Sequence, residues 1–117
     1  MASLKSLALV PVILFLSACA SDPPPREQLR LTGQAIEQTR SLLGEDRAAL
    51  GDAEATFAAA RRAHERQAYR EARRLAERAE LDARLVEART LTARSRQQAV
   101  ELRARIAALR QQLGEMP

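Results

Sequence analysis

The sequence predicts an all-α fold, either an elongated helical hairpin or a three-helix, coiled-coil-like bundle with a long C-terminal helix, set behind a signal peptide and a proline spacer. Three observations carry this. Between Pro25 and Pro117 there is no proline, and glycine occurs there only at Gly33, Gly44, Gly51 and Gly114. Ala, Leu, Arg, Glu and Gln dominate that stretch and are good helix formers, while β-branched and aromatic residues are too scarce to build strands. Apolar residues recur there every seven positions, the mark of a coiled-coil-like seam.

The 117 residues divide into segments 1–18, 19–26 and 27–117. Lys5 supplies a positive start, and residues 7–16 read Leu-Ala-Leu-Val-Pro-Val-Ile-Leu-Phe-Leu. That apolar run is half the length of the roughly 20 residues needed to span a bilayer. With small residues after it, segment 1–18 reads as a secretory signal peptide rather than a fold element. Its end, Leu16-Ser17-Ala18-Cys19, matches the bacterial lipobox. The Cys19 thiol would receive a diacylglycerol, cleavage would fall between Ala18 and Cys19, and the freed amino group would be acylated. The bland reading is a chance cysteine beside an ordinary signal. Position, spacing and the preceding signal all favour lipidation instead. Several acyl chains, at about 0.8 kcal/mol per buried CH₂, hold a protein firmly to a membrane without any spanning helix. Ala20 follows the cysteine where Asp would retain a lipoprotein at the inner membrane, so the expected location is the outer membrane, facing the periplasm.

Segment 19–26 contains Pro23-Pro24-Pro25, which favours extended polyproline II and blocks a helix, so it reads as a short stiff tether. From Cys19 onward there are 18 Arg, 15 acidic residues and no Lys. The larger apolar residues of this portion are 12 Leu, two Ile, two Val, Phe57, Tyr69 and Met116, with 21 Ala as filler. Alanine buries little area at about 25 cal/mol per Å², so the core is thin and a pocketed enzyme interior is not expected. One cysteine and one histidine exclude an internal disulfide framework and Cys- or His-pair metal motifs.

Three helices are expected, near 27–43, 47–66 and 69–115. Leu29, Ile36, Leu43, Leu50, Phe57 and His64 form a seven-residue repeat through the first two, flanked by Ala35, Leu42, Ala49 and Ala63. Leu43-Gly44 followed by Glu45-Asp46 reads as a C-terminal glycine and then an N-cap. The second break falls at Gln67-Ala68, where the seam changes phase. The third helix would be about 70 Å long at 1.5 Å per residue. Its Ala72, Ala79, Val86, Ala93, Val100 and Ala107 repeat every seven residues, with Ala76, Ala83 and Ala104 beside them. A second stripe starts with Leu81, Leu85 and Ala88 and resumes with Leu102, Ile106, Leu109, Leu113 and Met116. Roughly opposite the alanine seam, it is either covered within a three-helix bundle or exposed as a surface for self-association or another envelope protein. Two helices of about 30 Å cannot cover all of a 70 Å one.

Residues 19–29, Cys-Ala-Ser-Asp-Pro-Pro-Pro-Arg-Glu-Gln-Leu, precede alanine-spaced helices and then Tyr69-Arg-Glu-Ala-Arg-Arg-Leu-Ala-Glu-Arg-Ala-Glu-Leu-Asp-Ala-Arg-Leu at 69–85. This resembles the domain of unknown function 4398 family of short alanine-rich Gram-negative lipoproteins, over nearly all of 19–113. Its most specific part runs from Tyr69 to Ala83. The family's Ala-Pro-x-Glu-Leu motif at the second helix is replaced here by Asp46-Arg47-Ala48-Ala49-Leu50. The resemblance implies an outer-membrane helical lipoprotein of unassigned function and no catalytic residue. A weaker similarity to one tetratricopeptide repeat, through Ala60, Tyr69, Ala72 and Ala79, supports a helical turn near residue 67.

Few residues offer chemistry. His64 and Tyr69 read as a helix-end packing pair, because no positioned nucleophile or acid accompanies them. Glu77 with Glu80, Glu80 with Glu87, and Glu45 with Asp46 read as a solvated charged face. Arg74–Glu77, Arg78–Asp82 and Glu80–Arg84 stand at helical ion-pair spacing. Arg61-Arg62-Arg66, Arg70-Arg73-Arg74 and Arg103-Arg105-Arg110 could touch peptidoglycan carboxylates or lipopolysaccharide phosphates. The expected compartment removes nucleic acid as a partner. The reading is therefore an outer-membrane lipoprotein with a periplasmic helical rod, a structural or protein-interaction module without catalysis. No metal, cofactor or small-molecule substrate is expected, only an N-acyl diacylglycerol lipid on Cys19. The alternative is an envelope-binding module acting through its Arg-rich faces.

Overall fold

The computed structural model describes residues 22–115. The signal peptide, the lipobox Leu16-Ser17-Ala18-Cys19 and Met116 lie outside the described residues. Three α-helices form: α1 Arg26–Leu43, α2 Gly51–Glu65 and α3 Tyr69–Gly114, with a 3-10 turn at Ala48–Leu50 leading into α2. The fold is all-α and elongated with a long C-terminal helix, and it takes the three-helix form.

Two threonines show how α1 lies on α3. Thr32 Oγ1 sits 2.9 Å from the Gln28 carbonyl oxygen of its own helix and 3.0 Å from the Ala76 carbonyl oxygen of α3. Thr39 Oγ1 repeats this seven residues on, 2.9 Å from the Ala35 oxygen and 3.3 Å from the Ala83 oxygen. Each hydroxyl has one proton to share between its two acceptors. The constant register makes α1 and α3 parallel. With α2 turning back between them, the bundle runs up, down, up. A threonine reaches the backbone of α3 only because Ala76 and Ala83 carry nothing beyond Cβ.

The core follows from this close approach. Ala53, Ala60, Ala63, Ala72, Ala76, Ala79 and Ala83 are buried, together with Thr32, Ala35, Ile36 and Thr39 of α1. Leu50 is the largest fully buried side chain. It joins Ile36, Ala53 and Ala83 in one cluster, against which Leu43 and Phe57 pack. Phe57 also covers Gly33, where an added methyl would meet the ring at 3.5 Å.

The helix boundaries show where local chemistry departs from the heptad. Gly44 ends α1 with φ +65°, the left-handed conformation glycine adopts without steric cost. The second helix does not begin at 47 as expected but at Gly51, and no Glu45 or Asp46 side chain caps it. Instead Arg47 Nε donates to the Gly44 carbonyl oxygen at 2.9 Å, and the 3-10 turn that follows places Leu50 in the core. At the second break α2 ends at Glu65, one residue before expected. The Gln67 N–H donates to the His64 oxygen and the Ala68 N–H to the Ala63 oxygen, both at 2.9 Å, with Gln67 at φ +63°. That pair of bonds is a Schellman motif, with glutamine where glycine is usual.

The prolines before α1 lie along the bundle. Pro25 is buried. Asp22 pairs with Arg70 at 2.9 Å, and Arg73 donates to the Pro23 carbonyl oxygen at 3.3 Å. The start of the described chain therefore sits beside the start of α3. At the other end, Arg94 Nη2 donates to the Leu42 carbonyl oxygen at 2.6 Å. Every residue from 91 to 115 is exposed, and beyond the Arg94 contact α3 projects from the bundle as a lone helix for about 30 Å at 1.5 Å per residue.

Candidate functional site

The projecting end of α3 carries the stripe read from the sequence. Leu102, Ile106, Leu109 and Leu113 are 59%, 43%, 52% and 65% exposed, and Leu81, Leu85 and Leu91 upstream are exposed as well. At 100° per residue these four side chains lie roughly 120° around α3 from the buried Ala72–Ala83 line. Neither α1 nor α2 reaches them. The alanine seam also outruns its cover: Val86 is half-buried, whereas Ala93, Val100, Ala104 and Ala107 are exposed. Thus the stripe is an uncovered surface and not part of the bundle core.

The charged residues divide into two groups. Inside the bundle, carboxylates expected on a solvated face also tie helices together. Glu80 accepts from Gln28 Nε2 of α1 at 2.8 Å and from Arg84 Nη2 at 2.7 Å. The Arg84 guanidinium, then the Gln28 amide, hold its carboxyl below the usual range. Glu87 accepts from Gln38 of α1 at 2.8 Å. Glu54 of α2 pairs with Arg40 of α1 at 2.6 Å, and this contact raises the Arg40 guanidinium pKa further above its already high value. The expected Arg78–Asp82 pair forms at 3.8 Å, while no Arg74–Glu77 ion pair forms among the described residues. Arg66 pairs with Glu71 across the turn at 2.6 Å.

On the projecting end the arginines have no such partners. Among the described residues no ion pair engages Arg96, Arg103, Arg105 or Arg110. The two carboxylates there are occupied on another side of the helix: Gln97 donates to Glu101 at 2.9 Å and Gln111 to Glu115 at 3.3 Å.

His64 and Tyr69 pack as read, with ring centroids 5.5 Å apart across the turn. Nδ1 of His64 is buried and has no hydrogen-bond partner among the described residues. With Leu29, Arg30, Phe57, Arg61 and Glu65, the histidine lines an open groove that brings no nucleophile to its ring. Among the described residues no group of three or more His, Cys, Asp or Glu is placed to hold a metal ion. No described helix is long and apolar enough to cross a membrane.

Thr32 and Thr39 are the contact residues that the apolar pattern missed. A signal for them existed: Leu29, Thr32, Ile36, Thr39 and Leu43 alternate by three and four, so both threonines occupy seam positions.

The same architecture occurs in the crystal structure of a DUF4398 family protein from Pseudomonas aeruginosa PAO1. That chain is 47% identical, with a TM-score of 0.74 over 80% of this chain and 98% of that one. The chain belongs to the DUF4398 family. The resemblance read at 19–29 and 69–85 is thereby established as membership. No family model matches this DUF4398 chain, and no curated protein is similar to it at a significant level.

Proposed function

We propose that the protein is an outer-membrane lipoprotein, anchored by a lipid on Cys19, that presents its helical rod to the periplasm as a protein-interaction module. It acts by packing and performs no catalysis. The observation that carries this reading is the uncovered stripe Leu102, Ile106, Leu109 and Leu113 on a helix that has left its own bundle. A soluble helix gains nothing by placing large aliphatic side chains in water, and a contiguous exposed apolar line marks a docking surface. The lipobox and the preceding signal support the anchor.

A photo-crosslinking residue at Leu109 in the full-length protein in living cells tests this. The expected outcome is a discrete crosslinked species, either with itself or with another envelope protein. A monomeric rod with no crosslink overturns the reading.

A second reading, contact of the Arg face with peptidoglycan carboxylates or lipopolysaccharide phosphates, is favoured by Arg96, Arg103, Arg105 and Arg110, which no ion pair engages among the described residues. Salt separates the two, since apolar docking survives high ionic strength and exposed charge contacts are screened.

A further inference from the structure

We propose that the stripe on α3 is the docking seam for an acidic amphipathic helix of another protein, and not for a second copy of this chain. This rests on the reading of the projecting helix as an interaction module and names its partner's chemistry.

The stripe is a continuous heptad seam. Residues 81, 85, 88, 92, 95, 99, 102, 106, 109 and 113 alternate by four and three without a slip. With Leu85 at position a, the a residues are Leu85, Thr92, Ala99, Ile106 and Leu113, and the d residues Leu81, Ala88, Ser95, Leu102 and Leu109. Such a sustained period of 3.5 suits a supercoil with another helix. A helix lying on a membrane presents a broad apolar face with aromatic residues. Here the seam is narrow, no aromatic residue occurs after Tyr69, and Thr92 and Ser95 interrupt it. Those two hydroxyls, at one a and one d position, would fix the register of a partner helix rather than favour burial in lipid.

The flanks identify the partner's charge. Position e holds Asp82, which pairs with Arg78 of its own helix at 3.8 Å, and then Arg89, Arg96, Arg103 and Arg110 in four successive heptads. Position g holds Arg84, Leu91, Gln98, Arg105 and Gln112, with no carboxylate. Glu101 and Glu115 occupy position c, away from the seam, and are bonded by Gln97 and Gln111. A second copy would meet like charge in either orientation. Packed parallel, Arg84 faces the other copy's Arg89, and Arg105 the other copy's Arg110. Packed antiparallel, the four e-position arginines face one another. Like charges across a seam select against a pairing, and opposite charges select for it. A helix with Leu or Ile at a and d and Glu or Asp at e and g satisfies both the apolar seam and the arginines.

The test uses the full-length protein, as cells make it, in vesicles of zwitterionic lipid, with three labelled synthetic peptides as probes. One has Leu and Ile at a and d with Glu at e and g. The second carries Arg at e and g instead. The third has the composition of the first in shuffled order. The Glu-flanked peptide is expected to bind about ten- to thirtyfold tighter than the Arg-flanked one, the product of four exposed ion pairs, and the shuffled peptide to bind no better than the Arg-flanked one. The variant R89E/R96E/R103E/R110E, verified as folded by circular dichroism, is expected to reverse the preference. Equal binding of the two heptad peptides overturns the acidic-partner inference but leaves the docking reading intact. Self-association abolished by Ile106→Asn and Leu109→Asn assigns the seam to a second copy. Recruitment of the projecting helix to anionic vesicles, without peptide binding, assigns it to a membrane surface. Equal binding of the shuffled peptide reduces the site to unspecific charge and overturns the seam. No binding of any probe by a monomeric protein overturns both the inference and the reading on which it rests.

Discussion

Gln67 occupies a backbone position that its neighbours impose on it. The two Schellman bonds that close the α2–α3 turn require a left-handed residue, and Gln67 adopts φ +63° although it carries a Cβ. Gln67→Gly is therefore expected to raise stability by about 0.5–1 kcal/mol, the steric relief outweighing glycine's extra entropy in the unfolded chain. A urea unfolding midpoint lower than that of the parent would contradict this. The left-handed turn was not legible from residue type, because glutamine gives no such signal; the change of seam phase and the similarity to one tetratricopeptide repeat marked the break but not its conformation. Glu80 is a second residue whose role the sequence half disclosed. Its spacing to Arg84 was visible, but its acceptance of Gln28 from α1 depends on the helix register. Because its folded pKa is depressed, its contribution is complete above the ordinary glutamate range and disappears as pH falls through the depressed value. Glu80→Gln is expected to cost about 0.5–1.5 kcal/mol at neutral pH. The stabilities of parent and variant should converge in acid, and a constant gap across that range would show that the carboxylate charge is not the cause.

The three helices differ in what holds them. α1 and α2 are short and depend on burial against the alanine face of α3. α3 uses that face only as far as Thr90, because its two partners end there. This limit follows from counting residues, and the sequence disclosed it: helices of 18 and 15 residues cannot cover one of 46. The first loop was harder to read. Heptad phase continues across Gly44, and Leu50 fits the seam whether the chain is helical or looped. What decides is the 3-10 turn after Arg47 bonds back to Gly44, a local geometry that residue spacing cannot specify. The projecting end from residue 95 has only intrahelical hydrogen bonds and helix-forming composition to sustain it, without the tertiary packing that supplies most of the stability of helices in proteins. Its amides are accordingly expected to exchange with solvent much faster than those of Ala76, Ala79 and Ala83, which open only when the bundle does. Hydrogen exchange resolved by residue measures the difference. Equal protection along α3 would mean that a second chain already covers the projecting end.

At the scale of the whole molecule, the up–down–up topology gives the rod two different ends. The chain enters beside the start of α3, through Asp22 on Arg70 and the Pro23 oxygen on Arg73, and α3 leaves from the opposite end. The length of the rod was legible in the sequence. This polarity was not, because it depends on α1 running parallel to α3, and the side-to-side register of two helices leaves no mark in either one alone. Polarity has a consequence under the proposed lipid anchor. Two residues, Ala20 and Ser21, would join the acylated Cys19 to Asp22, three Cα–Cα steps that span at most about 11 Å. The bundle end with Arg66, Arg70 and Arg73 would then lie at the headgroups, and Leu113 would stand about 65 Å along the helix from Arg70 at 1.5 Å per residue. A fluorophore at Glu71 of the anchored protein is expected to be quenched by headgroup-labelled lipid, and one at Leu113 is expected to be unaffected. Arg70→Glu with Arg73→Glu should loosen the near end by placing carboxylates against Asp22 and the Pro23 carbonyl, giving a broader spread of quenching without releasing the protein from vesicles. Strong quenching at both positions would mean that the rod lies along the surface. The stripe at 102–113 would then be within reach of the membrane that holds the protein, not extended toward a partner in the periplasm.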